Sequence, residues 1–191
     1  MTSNAYKKVM WGILLSGCHL EIDYKYQILP AFLGYALLWW GIHELNNTGC
    51  REYYEKVEKT AFMVMVISTV GWVAGIFVGY LNLLAEVCMV AFYLLEWLLY
   101  ADLLNRSVKL LKENNRIREA DSMRTNRMRL LKVFLAVIVL FGVQIVAQVM
   151  EWGFGIFLDY AVKTFMLFVK LWLSMFIQNM SRYEITIDKQ F

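Results

Sequence analysis

The chain has 191 residues, of which 60% are hydrophobic, 16% aromatic and 18% charged, with a net charge of +3 and a mean hydropathy of +0.49. An ordinary soluble domain carries about 25% charged residues, and a single core of this size cannot hide long apolar runs on both faces of every helix. These values exclude an ordinary soluble domain and place the sequence among membrane proteins.

The first 27 residues hold Lys7 and Lys8, a short apolar stretch from Val9 to Leu15, and then Leu15, Ser16, Gly17 and Cys18, a run similar to the lipobox of bacterial lipoproteins. The apolar stretch lies at or below the roughly seven-residue minimum for a signal peptide. A short entering helix, as a sixth span or a re-entrant turn, is therefore expected in preference to a cleaved leader, with Lys7 and Lys8 on the inner side. The following "HLEIDYKYQIL" alternates partly between apolar and polar residues, so a break is expected near Gln27.

Pro30 is the single proline. Its fixed φ and missing N–H suit the first turn of a helix, and it biases Leu29 toward an extended backbone. A membrane helix over 28–46 is expected to start there. The pairing of "MWGILLSGCHLEI" with "YQILPAFLGYALLWWGIHEL" resembles the N-terminal signature of a group of small bacterial polytopic membrane proteins, W/Y-G-x-L followed by L-P-x-F-x-G-Y. The matching residues are Gly12, Leu14, Leu29, Pro30, Phe32, Gly34, Tyr35 and Gly41, within the first 45 or so positions. Ala31 stands where the group usually carries an acid, so no role for that carboxylate transfers. The resemblance implies a bacterial membrane protein and brings no activity with it.

Thr60–Leu84 carries no charge and exceeds the roughly 20 residues needed to cross the hydrocarbon. Further spans are expected over 85–104, 129–150 and 153–180. Nine basic against three acidic residues lie between Asn105 and Lys132, which marks 105–128 as a basic cytoplasmic loop by the positive-inside rule. The tail after Arg182 is then cytoplasmic too. Arg116, Arg118, Arg124 and Arg127 in that loop, with Arg129 directly after it, are candidates for contact with anionic lipid. The loop has no aromatic residues to stack bases, so nucleic-acid binding is not expected.

Gly71, Gly75 and Gly79 repeat every fourth residue, a spacing that lets a second helix backbone approach closely, within the chain or as a homo-oligomer seam. Gly34 and Gly41 form a weaker version. Charges inside the hydrocarbon are the better functional signal, because an ionised group there must face protein or water and find a partner. At 1.5 Å per residue Glu96 and Lys170 fall at one level, about 23 Å from the outer ends of their helices. Asp159, Lys163, Lys170, Ser174 and Gln178 share one helical face within an arc of about 100°, with Lys163 near the depth of Gln144 and Gln148.

A polar seam of Glu96, Lys163, Lys170, Gln144 and Gln148 is expected, read as interior pairs that fix which helices are neighbours, as the lining of a site for a small polar solute or a proton relay, or, for Lys163 and Arg182, as snorkelling from an interfacial helix. His43 with Glu44 reads as an interfacial cap. His19 and His43 fall on opposite sides of the membrane, Cys18, Cys50 and Cys88 show no paired spacing, and no phosphate loop, HExxH or GxSxG occurs. No metal, cofactor or disulfide is expected, and the balance leans against an enzyme. The sequence reads as one all-α polytopic transmembrane helical bundle of five to six membrane helices spanning 1–191, in the inner membrane. Its function is expected to be solute binding or transport, the alternative being a structural or regulatory accessory of a membrane partner protein.

Overall fold

Apolar runs bounded by charged segments give six helices in the computed structural model, which describes residues 2–17, 21–22, 26–27, 30–47, 51–78, 83–150 and 152–182. They are α1 (Thr2–Gly17), α2 (Ala31–Leu45), α3 (Arg51–Val78), α4 (Leu83–Glu113), α5 (Ile117–Val149) and α6 (Gly155–Arg182). Between α1 and α2 a two-rung antiparallel ladder pairs Glu21 with Gln27 and Ile22 with Tyr26. Each helix packs on the next in sequence, and α6 returns against α1 to close a ring.

The protein is an all-helical bundle and a multi-pass membrane protein. Four helices contain stretches long and apolar enough to cross a bilayer, Tyr53–Ala74, Val87–Glu113, Ile117–Val149 and Phe157–Arg182. The remaining two are short: α1 with 16 residues and α2 with 15 measure only about 24 and 22 Å. Pro30 immediately precedes α2 as its N-cap, with φ −68° and an extended ψ of 132°, so it stands one position before the first turn in which the sequence places it. Outward-facing apolar side chains such as Val70, Val139, Phe157 and Phe168 are exposed, because their solvent is lipid.

The segment 105–128, expected as a loop, is helical apart from a tight turn. Leu103, Leu104, Val108, Leu110 and Leu111 of α4 and Ala120, Met123 and Leu130 of α5 are all buried, so an apolar seam runs on beneath the basic surface and keeps the two helices paired. The turn follows from local chemistry. Arg116 N–H donates to the Leu111 carbonyl and Asn115 N–H to that of Lys112, both at 3.1 Å, and Asn115 takes a φ of 56°. This is the left-handed ending that asparagine tolerates better than most side chains.

Helix backbones approach closely in the α1–α2 hairpin. A Cβ on Gly12 would stand 2.7 Å from Leu38 Cα, one on Gly34 2.7 Å from Ser16 Cα, and one on Gly41 2.8 Å from the Val9 nitrogen. Gly34 and Gly41 are thus the glycines that pack, with Gly12 as their counterpart. Among the described residues Gly71 meets nothing within 4 Å, and it lies exposed. Gly79 and the surroundings of Gly75 lie outside the described residues, as do Cys18, His19, Cys50 and the tail after Arg182.

Gly12→Ala and Gly34→Ala should each cost about 1–3 kcal/mol by overpacking two backbones that cannot part without loosening the hairpin. Gly71→Ala should stay within about 1 kcal/mol of the parent or exceed it, from helix propensity alone. Thermal unfolding in mild detergent orders the three variants, and an equal loss in all three would contradict this packing.

Candidate functional site

Glu96 on α4 and Lys170 on α6 are 74 positions apart and meet in the centre of the bundle, with Nζ 2.8 Å from Oε1. Their exposures, 0% and 3%, mean that neither charge has water to fall back on. Taking two ions into such surroundings costs several kcal/mol each unless further hydrogen bonds complete their shells. Most of those bonds are present. Tyr35 from α2 and Tyr100 from α4 both donate to Glu96 Oε1, at 2.7 and 2.6 Å. Lys170 Nζ also donates to the Ser16 carbonyl at 3.2 Å, to Ser16 Oγ at 3.3 Å and to the Tyr35 oxygen at 3.3 Å.

Where the short helices stop explains the arrangement. Ser16 is the last residue but one of α1, and Tyr35 lies in the first turns of α2. By contrast Glu96 is about 20 Å along α4 from Leu83 and Lys170 about 22 Å along α6 from Gly155, well inside both long helices. Two helix ends therefore terminate at the level of a buried ion pair. The final carbonyls of α1 have no partner within the helix and carry its negative dipole end, and the Lys170 ammonium takes one of them. Gly17 lets it pass, since a Cβ there would stand 2.8 Å from Lys170 Cδ.

One valence is left over. Glu96 Oε2 is buried without a hydrogen-bond partner, although Oε1 accepts from three groups. Edge-to-face contact of Tyr35 with Phe92, centroids 5.5 Å apart, and packing of Tyr100 on Phe134 at 5.8 Å hold both hydroxyls on the same oxygen. The carboxylate is thus presented asymmetrically, with one oxygen saturated and one open.

The other residues of the expected seam form a separate cluster. Gln144 Nε2 donates to Asp159 Oδ1 at 3.0 Å, and Lys163 pairs with Asp159 Oδ2 at 3.0 Å, so Asp159 joins two groups whose depths match. Lys163 is 45% exposed along its side chain, whereas Gln144 is buried. Gln148 is exposed and lies over Gly155. Along α6 Lys163 and Lys170 are about 10 Å apart, and the five residues divide into a central pair and a peripheral α5–α6 group. Ser174 is buried and donates to the Leu171 carbonyl, and Gln178 is exposed.

A third network, not apparent in the sequence, crosses the bundle toward the basic end: Tyr6 and Tyr54 share a hydrogen bond of 2.8 Å, and Tyr54 reaches Ser107 Oγ at 3.1 Å. Nearby, His43 Nδ1 lies 2.6 Å from Glu58 and Lys8 2.5 Å from Glu44, so the expected His43–Glu44 cap is replaced by two interhelical pairs. Lys8 also sits 4.3 Å from the centre of the Trp40 ring. Among the described residues no group of three or more His, Cys, Asp or Glu stands close enough to hold a metal ion, and Cys88 is free and exposed. Of the basic candidates, Arg118, Arg124 and Arg129 are exposed, Arg116 opens α5, and Arg127 is half-buried and donates to Asn105 Oδ1.

Lys170→Met should cost about 3–5 kcal/mol by stranding the Glu96 carboxylate, and Glu96→Gln combined with Lys170→Met should recover most of that loss. Chemical unfolding in detergent micelles measures both; a double variant no more stable than the single one would show that the two side chains are not coupled. The chain matches no protein-family model, no curated protein and no solved structure in the comparisons made.

Proposed function

We propose that the protein is a solute-binding or transport module of the bacterial cytoplasmic membrane, with Glu96 as its binding group. The observation that carries this reading is the ending of α1 and α2 at the Glu96–Lys170 pair. In a hydrocarbon interior, helix ends are tolerated only where their free backbone groups meet protein, water or a ligand, and broken helices at mid-depth are a device for building solute sites. The open Oε2 supplies an acceptor for a donor-bearing solute or a proton. Lys170 neutralises the carboxylate while the site is closed.

The basic end of the bundle is read as cytoplasmic. Lys8, the α4–α5 turn and the end of α6 lie together there: Lys8 pairs with Glu44 beside His43 and Glu58, Tyr53 on α3 bonds Glu113, and Phe176 and Asn179 share a groove with Arg118 and Glu119. A second reading, a structural or regulatory accessory of a membrane partner, is favoured by the α4–α5 hairpin. These helices of 31 and 33 residues, about 46 and 50 Å long, outreach a hydrocarbon layer of about 30 Å. They carry Lys109, Lys112, Arg118 and Arg124 exposed on the overhang.

Native mass spectrometry of the intact chain, extracted gently from its own membrane, separates the two. The transport reading expects a small polar molecule at fixed stoichiometry, absent from the Glu96→Gln, Lys170→Met double variant even though that variant folds. A second polypeptide retained by the double variant, and lost when Arg118 and Arg124 are changed to Gln, would move the assignment to an accessory role.

A further inference from the structure

The groove between α4 and α5 is a place where the bundle surface changes chemistry along its length. Its volume is about 270 Å³. Trp97 and Ala101 line it from α4, and Leu131 and Leu135 from α5. Asn105 and Arg127 stand at its other end, Lys132 flanks it on α5 beside Leu131, and no acidic residue is among those lining it. We propose that this groove binds one anionic phospholipid, with the phosphate between Arg127 and Lys132 and an acyl chain laid along Trp97 and Leu135.

Three observations converge on that occupant. The first is position. The uncharged stretch of α5 begins directly after Lys132, and Asp102 and Arg106 mark the corresponding change on α4, so the groove straddles the boundary between hydrocarbon and headgroups. Basic pockets between membrane helices at this depth suit lipid phosphates.

The second is an unfinished cation. Arg127 spends one terminal nitrogen on Asn105 Oδ1, and its other terminal nitrogen reaches only the Met128 sulfur, at 3.8 Å. Its Nε–H is buried with no partner. A guanidinium offers five donors in a planar fork matched to phosphate oxygens, and a buried N–H without an acceptor is costly. The third is rigidity. Trp97 Nε1 donates to the Leu131 carbonyl at 2.9 Å, which ties the two walls together at the apolar end and holds the indole along the groove.

The test uses the full chain in a zwitterionic detergent, titrated with phosphatidylglycerol or with phosphatidylcholine of the same acyl chains and read by native mass spectrometry. One phosphatidylglycerol is expected to be retained about thirtyfold more strongly than phosphatidylcholine, the share of two basic residues at the headgroup level. Arg127→Gln with Lys132→Gln should abolish that preference, while Arg124→Gln with Arg129→Gln, an equal loss of charge from exposed positions, should keep it. Lys132→Gln alone, at an exposed position, should reduce the preference about fivefold and gives the same reading if the double variant does not fold. Equal retention of both lipids, or equal loss in both double variants, would overturn the site. Displacement of the lipid by millimolar inorganic phosphate alone would assign the groove to a free anion instead.

Discussion

Hydrocarbon cannot solvate a charge, and that constraint organises this molecule. Glu96 lies on a long helix with apolar residues on most sides, and Lys170 lies on another, far away in sequence. Neither position is near enough to a helix end for the side chain to reach water. Only by meeting can both remain ionised inside the bilayer, and their meeting fixes the relative depth of α4 and α6 to within one helical turn. The ring of helices is then closed around that axis, with α1 drawn against α6 and α2 against α1.

The pair needs more than its own attraction. An ammonium has three protons and a carboxylate several lone-pair directions, and each one left bare inside the membrane costs as much as a lost hydrogen bond. Ser16 and Tyr35 supply the missing partners, but they can do so only because Gly12, Gly34 and Gly41 let the α1 and α2 backbones touch. The close hairpin and the buried charges are thus one device. Small residues bring two helix ends to mid-depth, and their free carbonyl and hydroxyl groups complete the coordination. What remains open at the pair, Glu96 Oε2, is one of the few buried polar atoms left without a hydrogen-bond partner among the described residues. Departures of that kind concentrate where a protein binds something.

The parts of the fold legible in the sequence are those governed by length and charge. Uncharged runs locate the long helices, Pro30 starts α2, and counting 1.5 Å per residue puts Glu96 and Lys170 at one level. Tyr35 and Tyr100 are not legible in this way, because a tyrosine in an apolar helix reads as an aromatic; the one local signal is that Tyr100 follows Glu96 by four residues and so lies on its face. The same i, i+4 spacing joins Lys163 to Asp159, whereas the Gln144–Asp159 bond depends on how α5 and α6 pack and has no sequence mark. Net positive charge over 105–128 signals which side of the membrane a segment prefers, not whether it is helical, and the buried leucines beneath decide the latter. A glycine every fourth residue shows that close contact is permitted. Among the described residues nothing takes it up at Gly71, while Gly12, a lone glycine by spacing, and Gly34 each meet the facing helix backbone directly.

All of this rests on Lys170 and Glu96 being in direct contact within a bilayer. Solid-state NMR on the chain in lipid, with lysine Nζ labelled with nitrogen-15 and glutamate Cδ with carbon-13, measures it through their dipolar coupling, the Lys170 signal being identified by its loss in Lys170→Met. A strong coupling from the Lys170 nitrogen, at an ammonium shift and removed by Glu96→Gln, is the predicted result. A Lys170 nitrogen with no measurable coupling to a glutamate carboxyl, or with the shift of a neutral amine, would contradict the account at its centre.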